Sequence, residues 1–430
     1  MERYEAYKDS GVEWIGEIPA EWKILRIQQC FAEERRINDG LESFHALKFS
    51  AGSIVPKPEK WDEEEVADTY ARYRCVSPGT IMINSLNLNF DLKSLRVGLV
   101  EEEGIITSAY VAIVPGAEIE PRFANYTLKS WDYRKAFHNM GRGLRLTLDW
   151  HEFSKYRIQT PSLFEQQAIA DYLDAKTAEI DALVADCERE VELLQEYRKA
   201  VISEAVTKGL DPDVPMKDSG IEWIGEIPVD WEVARLDKVA VRKSGHTPDK
   251  KVPEYWDGNI VWISLADSYR LRANVYVNES TTMTTEAGIA NSSAELLPEG
   301  TVLLSRDASV GLTAIAGVQL AVSQHFMAYI CDSNLSNEFL RYVFLAMHQE
   351  FEKLSMGSTI PTIGLPLMRK LTIPYPSRKA QDDIVGYLNS KVAEIDMLIT
   401  DNQSMAEKLC EYRRSLISEA VTGKFKVPGV

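Results

Sequence analysis

The chain has 430 residues and 45% hydrophobic content, which is enough apolar material for two or more packed domains. No apolar run approaches the roughly 18 residues of a membrane-spanning helix, so an integral helical membrane protein is excluded. The formal net charge of −17 argues, as a sum, against nucleic-acid binding. However, the acidic charge is unevenly distributed: residues 161–215 hold 13 acidic and 5 basic side chains. Residues 23–160 hold 19 acidic and 19 basic side chains, and residues 232–375 hold 15 acidic and 13 basic ones, so these two segments are almost neutral.

A short segment near the start of the chain occurs twice. Residues 8–19 (KDSGVEWIGEIP) return 209 positions later as residues 217–228 (KDSGIEWIGEIP), and Trp22 returns as Trp231. Each copy precedes a stretch with a globular composition. Two tryptophans, a glycine and a proline in a short polar segment predict a clip that packs on the end of a helix. We call these segments clip 1 (residues 8–22) and clip 2 (residues 217–231).

Residues 23–160 have the pattern of short strands, and residues 78–84 (PGTIMIN) predict a turn that leads into a buried strand. Polar loops follow this strand. Asn and Arg side chains can form bidentate hydrogen bonds with adenine and guanine edges, although such residues on loops are more often turn formers or solvated charges. The candidate base-reading residues here are Asn84, Asn87, Asn89, Arg96, Ser108, Tyr110, Arg142 and Arg145.

A long helix is predicted over residues 165–206, which contain no proline or glycine and have apolar residues at alternating three- and four-residue steps. At 1.5 Å per residue it would be about 60 Å long, too long for the interior of one domain. The pattern recurs 215 positions later in residues 381–421, and the sequence ISEAVT ends both copies. Matched apolar seams predict an antiparallel coiled coil with a pseudo-twofold repeat. The predicted seam residues are Leu173, Ile180, Leu183, Leu194, Tyr197, Leu388, Ile395, Leu398, Leu409 and Tyr412.

The segment between clip 2 and the second helix shares little identity with residues 23–160. Its polar stretches combine glycine with Ser, Thr and Lys, which lets backbone N–H groups approach phosphate oxygens. His246 and His325 have no Cys, His or Asp at the spacing of a metal site, so no metal site is predicted. Both are by default interpreted as hydrogen-bonded polar side chains. The candidate DNA-binding residues here are Lys243, Ser244, His246, Thr247, Ser305, Arg306, Gln324, His325, Ser358, Thr359 and Thr362.

The five cysteines are scattered without a CxxC spacing, which is typical of free thiols in a reducing compartment. The chain opens without a secretory signal peptide. We therefore expect a soluble, cytoplasmic protein. Motifs for S-adenosylmethionine-dependent base methylation (NPPY or DPPY), Walker A and G-x-G-x-x-G are not present in the sequence, so no cofactor is predicted.

The order of clip, variable domain, long helix, clip, variable domain, long helix resembles the specificity subunit of a Type I restriction–modification system. The resemblance covers nearly the whole chain and is carried by EWIGEIP twice, PSLFEQQ at 161–167, YLDAKTAEIDALV at 172–184 and ISEAVT twice. Residues 244–248 match the family pattern SG-x-TP, and residues 357–363 match GST-x-P-x-I. The entrance of the second helix departs from the family, because residues 378–382 (RKAQD) lack its EQ pair.

The resemblance implies a non-catalytic α+β protein in which two target recognition domains are joined by two long antiparallel helices. Each domain would read one half of a bipartite site in double-stranded DNA. The helices would set the spacing between the two half-sites and would bind two methyltransferase subunits. Motor-nuclease restriction subunits would join the complex through those subunits. S-adenosylmethionine, ATP and Mg²⁺ would belong to those partners. The implied segments are 1–160 (clip and first recognition domain), 161–215 (first helix and linker), 216–375 (clip and second recognition domain) and 376–430 (second helix and tail).

A second interpretation stays open at this stage. Both variable domains carry almost no net charge, whereas an autonomous DNA-binding domain ordinarily has a basic surface. A helical scaffold whose variable domains bind protein would fit that balance equally well. Clustering of Lys and Arg on one concave face of each domain would favour DNA. On the DNA interpretation, substituting Arg142 and Arg145, or Ser358 and Thr359, should impair recognition of one half-site only.

Overall fold

The computed structural model describes residues 2–58, 63–88, 95–141, 146–355 and 361–430. The chain divides into two compact units. Unit 1 comprises residues 1–188 and 404–430, and unit 2 comprises residues 189–403. Each unit combines a β-rich part with a portion of both long helices. Among the described residues, no helix is both long and apolar enough to cross a membrane.

The first part of the chain consists of short strands and short helices, as the sequence predicts, and ends in a long helix. The predicted buried strand after Pro78 is β8, and all three of its residues are buried. In chain order the elements are β1 (Tyr7–Asp9), β2 (Glu17–Pro19), β3 (Lys23–Arg26), α1 (Ile27–Cys30), β4 (Phe31–Glu33), β5 (Leu47–Ser50), β6 (Ser53–Pro56), α2 (Glu63–Tyr70), β7 (Arg74–Val76), β8 (Ile81–Ile83), β9 (Val97–Leu99), β10 (Gly104–Ile106), β11 (Val111–Pro115), α3 (Pro121–Tyr133), α4 (Trp150–Phe153), β12 (Arg157–Thr160) and α5 (Leu163–Lys208).

The second part begins like the first, with two clip strands, a third strand and a short helix, and it ends in a strand followed by a long helix. Its elements are β13 (Met216–Asp218), β14 (Glu226–Pro228), β15 (Glu232–Arg235), α6 (Leu236–Val239), β16 (Ala240–Ser244), β17 (Trp256–Ile263), α7 (Ser268–Ala273), β18 (Tyr276–Val277), β19 (Met283–Thr284), α8 (Glu286–Ala290), β20 (Val302–Ser305), β21 (Thr313–Ala316), β22 (Leu320–Val322), β23 (Phe326–Cys331), α9 (Asn337–Ala346), α10 (His348–Leu354), α11 (Leu365–Met368), β24 (Thr372–Tyr375) and α12 (Arg378–Val421).

The two β-rich parts share a frame but differ in their central sheets. In both units the clip strands pair (β1 with β2, β13 with β14), and the strand after the clip pairs with the strand before the long helix (β3 with β12, β15 with β24). Between these pairs, unit 1 has a four-stranded antiparallel sheet of order β4-β11-β8-β9. Unit 2 has a five-stranded sheet of order β16-β23-β20-β21-β18 and a three-stranded sheet of order β19-β17-β22. The low identity between the variable segments therefore reflects different sheets.

The two long helices are antiparallel, which confirms the sequence prediction. In unit 1 the start of α5 packs on the end of α12, and Arg413 Nε lies 2.9 Å from Asp181 Oδ1. In unit 2 the end of α5 packs on the start of α12, and Arg198 Nε lies 2.8 Å from Asp396 Oδ1. Asp396 and Arg413 stand 215 positions after Asp181 and Arg198, so both units contain the same ion pair with the roles of the helices exchanged.

One of the two predicted lines of seam residues lies on the contact face. Leu173, Ile180, Leu388 and Ile395 are at most 4% exposed, and Leu194 and Leu409 are half-buried. The other line is wrong. Its members are 41–53% exposed and lie beside the seam; they are Leu183, Tyr197, Leu398 and Tyr412.

The true second line stands one residue later on each helix. On α5 it consists of Ala170, Thr177, Val184, Val191, Arg198 and Ala205, which are buried or half-buried. Small residues allow close approach of the two backbones, and the aliphatic stems of Arg198 and Arg413 cover the seam while their guanidinium groups reach the ion-pair partners. The error arose because leucine and tyrosine are more hydrophobic than the residues that this close packing requires.

A buried glutamine fastens each long helix to the β-rich part of its unit. Gln166 and Gln381, which are counterparts in the repeat, are fully buried. Each donates two hydrogen bonds to backbone carbonyls and accepts one from the N-cap residue of a nearby helix. The partners of Gln166 are the carbonyls of Pro161 and Glu118 and the N–H of Glu120, and those of Gln381 are the carbonyls of Pro376 and Asn334 and the N–H of Ser336.

The start of α12 lacks a glutamate at the position that matches Glu165, and with it the contacts that Glu165 makes at the start of α5. Glu165 accepts hydrogen bonds from Trp22 Nε1 at 3.2 Å and from the Tyr4 hydroxyl at 3.4 Å, which ties clip 1 to α5. Its counterpart is Ala380, which has no acceptor for Trp231. The second entrance therefore keeps the glutamine contacts and lacks the glutamate contacts.

The two ends of the chain meet in unit 1, as the antiparallel arrangement predicts. The N–H of Lys426 donates to the carbonyl of Glu2 at 2.8 Å, and the Tyr7 hydroxyl donates to the carbonyl of Lys424 at 3.3 Å. Gln159 Nε2, next to the start of α5, donates to the carbonyl of Val421 at the end of α12 at 2.8 Å.

Candidate nucleic-acid interface

In unit 2, strand pairing brings most of the predicted DNA-binding residues to one place. Strand β23 pairs with β16 on one side and β20 on the other. The predicted residues stand at or just beyond the ends of these strands. The N–H of Arg306, after β20, donates to the carbonyl of His325 at 2.9 Å, and the N–H of His246, after β16, donates to the carbonyl of Val322 at 3.0 Å.

The SG-x-TP motif has a steric reason at its glycine. A Cβ atom on Gly245 would lie 2.1 Å from the carbonyl oxygen of Ser323 and 2.3 Å from that of Val322. Only glycine permits this close approach of two backbones. It places Thr247 beside Gln324, and the Thr247 hydroxyl donates to Gln324 Oε1.

Thr362 joins the same cluster through a short antiparallel bridge. It is paired with Asp307, and the flanking hydrogen bonds are Ala308 N–H to the Pro361 carbonyl and Ile363 N–H to the Arg306 carbonyl, both at 2.9 Å. Thr362 is half-buried at this position. The structure therefore brings Asp307 and Thr362, which are 55 positions apart in the sequence, into direct contact.

These residues border a cleft of about 530 Å³. Thr247, Gln324 and His325 are among the residues that line it. Trp256 and Trp262 line it as well, with ring centroids 5.1 Å apart in an edge-to-face arrangement. Both indole N–H groups donate to backbone carbonyls, of Asp249 and His246 respectively, which fixes the rings.

The cleft is electrostatically suited to an anionic ligand. Among the described residues that line it, Lys250 is a cation and none is a carboxylate. Asp307 lies behind the cleft, where its Oδ2 is 2.9 Å from His325 Nδ1 and 3.5 Å from Arg306 Nε. This buried carboxylate orients the imidazole so that its other nitrogen faces outward.

Other predicted residues of unit 2 have internal roles. Lys243 forms an ion pair with Glu295 on the surface. Ser305 is fully buried, and its hydroxyl donates to the carbonyl of Asp307 at 3.0 Å, so it shapes the loop. Ser244 and His246 are exposed at the edge of the cluster.

Four residues of this cluster were not among the predicted site residues: Lys250, Trp256, Trp262 and Asp307. Their signals in the sequence were weak. Asp307 follows the predicted Arg306 directly, and Trp256 lies in a polar stretch before a strand. Trp262 lies on β17, which pairs in parallel with β22, the strand that ends two residues before Gln324. No local pattern in the sequence indicates this pairing.

In unit 1, Arg96 organises a loop. It is 1% exposed, and its guanidinium donates to the carbonyls of Asn84, Leu86 and Asn87 at 2.9–3.4 Å. Its own N–H donates to Asp132 Oδ2 at 2.6 Å, and burial raises the pKa of that carboxyl. Arg96 therefore fixes the backbone from which Asn84 and Asn87 project.

This loop lies beside the chain that follows residue 145. The N–H of Leu88 donates to the carbonyl of Leu146 at 3.2 Å, and the N–H of Leu148 donates to the carbonyl of Ser85 at 3.1 Å. Asn87, at φ 50°, is exposed on the loop, and Asn84 is half-buried.

The remaining predicted residues of unit 1 lie elsewhere or outside the described residues. Ser108 is exposed and Tyr110 is half-buried against Phe49, with ring centroids 5.7 Å apart. Neither makes a described contact with the Asn84 loop. The predicted residues outside the described part of the chain are Asn89, Arg142, Arg145, Ser358 and Thr359.

The chemistry of the unit 2 cleft is that of recognition. Gln can form a bidentate hydrogen bond with adenine, hydroxyl and imidazole groups can bond several base edges, and indole rings stack on bases. Among the described residues, no group of three or more His, Cys, Asp or Glu side chains is placed to hold a metal ion.

Comparison with known proteins shows which proteins the chain is similar to. Residues 228–403, which lie within unit 2, match the model of the Type I restriction modification DNA specificity domain. The chain is 33% identical to the Type I restriction enzyme MjaIX specificity subunit of Methanocaldococcus jannaschii over 168 residues. This aligned segment covers 39% of this chain and 39% of that protein. It is 24% identical to the MjaVIII specificity subunit of the same organism over 95% of this chain and 94% of that protein.

Solved structures agree on the fold. A chain from a study of complex assembly and conformational transition in the type I R-M system matches with a TM-score of 0.74 at 16% identity, covering 95% of this chain and 99% of that chain. The HsdS subunit from Thermoanaerobacter tengcongensis matches with a TM-score of 0.57 at 17% identity, covering 95% and 98%. Residues 228–403 therefore match the DNA specificity domain of Type I restriction–modification systems, and the chain is similar to specificity subunits of such systems over nearly its whole length.

Proposed function

We propose that each unit of this chain reads one half of a bipartite site in double-stranded DNA. The observation that carries the proposal is the unit 2 cleft, where the predicted residues Thr247, Gln324 and His325 converge beside a lysine and two tryptophans. Hydrogen-bonding groups of this kind specify bases, whereas lysine and backbone N–H groups contact phosphates. Lys250 lies on a concave surface whose described lining residues include no carboxylate, which favours DNA over the alternative of a protein-binding scaffold.

The test of base reading uses the chain assembled with its methyltransferase subunits. Gln324→Ala removes a bidentate donor and acceptor, and loss of such a contact typically costs about 1–3 kcal/mol, or about 5- to 150-fold in discrimination. Sequencing of methylated DNA should show relaxed or lost specificity in one half of the site, with the other half unchanged. Val241→Ala, at a position 58% exposed and outside the cleft, is the matched control.

Two outcomes would overturn this assignment. An unchanged methylated sequence in the Gln324 variant would show that the cleft does not read bases. Equal weakening of binding to unrelated DNA would identify a phosphate contact instead.

We further propose that the long helices set the half-site spacing and dock two methyltransferase subunits, one for each repeat. At 1.5 Å per residue, the 46 residues of α5 span about 69 Å. Leu183 and Tyr412 in unit 1, and their counterparts Leu398 and Tyr197 in unit 2, are 41–53% exposed on the helices. An apolar pair that recurs in both units suits two copies of one partner. Restriction subunits would join through the assembled complex.

This docking can be counted by size-exclusion chromatography with light scattering. The wild-type chain should shift by the mass of two methyltransferase subunits. A Leu183→Ser/Tyr412→Ser variant should lose one copy, and so should the matched Leu398→Ser/Tyr197→Ser variant. Failure of the wild-type chain to form any larger species would contradict the proposal, as would retention of two copies by both variants.

A further inference from the structure

Unit 2 has an uncovered groove where α5 ends and the linker to clip 2 begins. This linker groove has a volume of about 610 Å³. Its apolar lining includes Tyr197, Val201, Leu210, Met216 and Tyr387. Three of these side chains are strongly exposed: Tyr197 by 49%, Leu210 by 45% and Tyr387 by 43%.

The equivalent place in unit 1 is filled by the C-terminal tail of the chain. Tyr172 is the counterpart of Tyr387 at the offset of 215, and its ring packs edge-on against Phe425, with centroids 6.0 Å apart. Phe425 is 6% exposed and Val427 is 2% exposed. Together with Tyr4, these residues belong to the core cluster that contains Trp22.

The sequence explains why the linker cannot fill its own groove. Gly209 and Gly423 follow the two long helices with φ of 79° and 67°, and they are 214 positions apart, one fewer than the offset of the helices. A Cβ on Gly209 would meet Trp231 and Pro228, and a Cβ on Gly423 would meet their counterparts Trp22 and Pro19, so the two glycines are equivalent points in the backbone. Two residues later unit 1 has Phe425 and unit 2 has Asp211; four residues later unit 1 has Val427 and unit 2 has Asp213. A carboxylate cannot replace an aromatic side chain in an apolar groove without losing its hydration.

The groove is also charged in a way that selects its occupant. Glu204, Asp211 and Glu226 line it, against the single cation Lys208 among the described lining residues. In unit 1 the tail carries lysines on both sides of its phenylalanine. Lys424 Nζ there donates to the backbone carbonyl of Glu17, the counterpart of Glu226, at 2.9 Å.

We propose that the linker groove of unit 2 binds an extended, basic segment of a partner protein, anchored by an aromatic side chain in the manner of residues 424–427 in unit 1. The apolar floor accepts the aromatic anchor, and the acidic lining pairs with the flanking cations. The linker groove shares no described lining residue with the cleft of unit 2. Because Tyr197 also belongs to the proposed methyltransferase contact, this inference rests in part on the proposed function, and the peptide titration below tests the groove without the methyltransferase.

The probe is a fluorescein-labelled peptide with the sequence of residues 423–430, GKFKVPGV, titrated with the full-length chain and followed by fluorescence anisotropy. Saturable binding is expected. Replacing the peptide phenylalanine by alanine should weaken it at least 10-fold, and Tyr387→Ala in the chain should weaken it comparably. Leu193→Ala, at a position on α5 that is 64% exposed and outside the groove lining, should leave it unchanged.

A variant that fills the linker groove shows whether the peptide binds there in unit 2 or instead displaces the tail in unit 1. Asp211→Phe supplies the aromatic side chain that the linker lacks, so it should abolish peptide binding while the circular dichroism spectrum of the chain stays unchanged. Undiminished binding to this variant would mean that the peptide displaces the tail of unit 1, and the proposal would be overturned. Absence of saturable binding to the wild-type chain at millimolar concentration would overturn it as well.

Discussion

Replacing Gln381 by methionine tests the joint between a long helix and its β-rich part. Methionine fills a similar volume, so the cavity contribution is small. It leaves three backbone groups without their partner: the N–H of Ser336 and the carbonyls of Asn334 and Pro376. An unsatisfied buried polar group costs about 1–3 kcal/mol, so the lower limit for three is a local destabilisation of about 3 kcal/mol, or about 150-fold in the opening equilibrium.

Hydrogen exchange measured by mass spectrometry localises this effect. In the Gln381→Met chain, amides of α9, which begins after Ser336, should exchange about 10²-fold faster, while those of α3 in unit 1 should not change. Gln166→Met is the matched control and should produce the converse pattern, because its partner is the N–H of Glu120 at the start of α3. If α9 kept its protection, or if both helices lost it in either variant, the glutamines would not be local fasteners.

Three further predictions concern other parts of the molecule. The Cys331 thiol is half-buried, and its desolvation, followed by the charge of the neighbouring Asp332, raises its pKa to about 12, so at pH 8 almost no thiolate forms. Iodoacetamide should therefore modify it readily only in urea, and rapid labelling of the native chain at pH 8 would contradict the raised pKa. A circular permutant that joins residue 430 to residue 1 by a short linker and opens at residues 211–213 should keep the native methylation specificity, whereas loss of one half-site would show that the chain ends are not interchangeable with the linker. Arg142→Ala combined with Arg145→Ala should change one half-site in methylation sequencing, and a uniform loss at all sites would instead indicate phosphate contacts.

The architecture could be predicted because the sequence contains an internal repeat. The offset of 215 identifies both long helices, and antiparallel pairing follows from the matched seams. The register of the seam could not be predicted, because hydrophobicity favours Leu183 over the smaller Val184, whereas the close packing of the helices leaves Leu183 exposed and half-buries Val184. The hydrophobic pattern therefore predicts the wrong face for this leucine.

The recognition cleft was predictable only in part. The glycine of the SG-x-TP motif indicates a close backbone approach, and the structure shows it at Gly245. Trp262 and Gln324 line the same cleft, and Asp307 bonds His325, only because strands from distant segments pair with each other. No local pattern in the sequence specifies those pairings.

The comparison of the two repeats separates what each part of the chain has to do. The elements that recur are those of the frame: the buried glutamines and the Asp–Arg pairs between the helices. The central sheets differ, with four antiparallel strands in unit 1 and sheets of five and three strands in unit 2. Two identical reading surfaces on a repeated frame would select a DNA site with two equal halves. Two different surfaces on the same frame would, on the proposed function, select unequal halves, while the frame would still offer equivalent docking sites to two copies of one methyltransferase. On the proposed function, divergence of the sheets and retention of the frame are therefore both required, because an asymmetric DNA sequence has to be presented to a symmetric pair of partners.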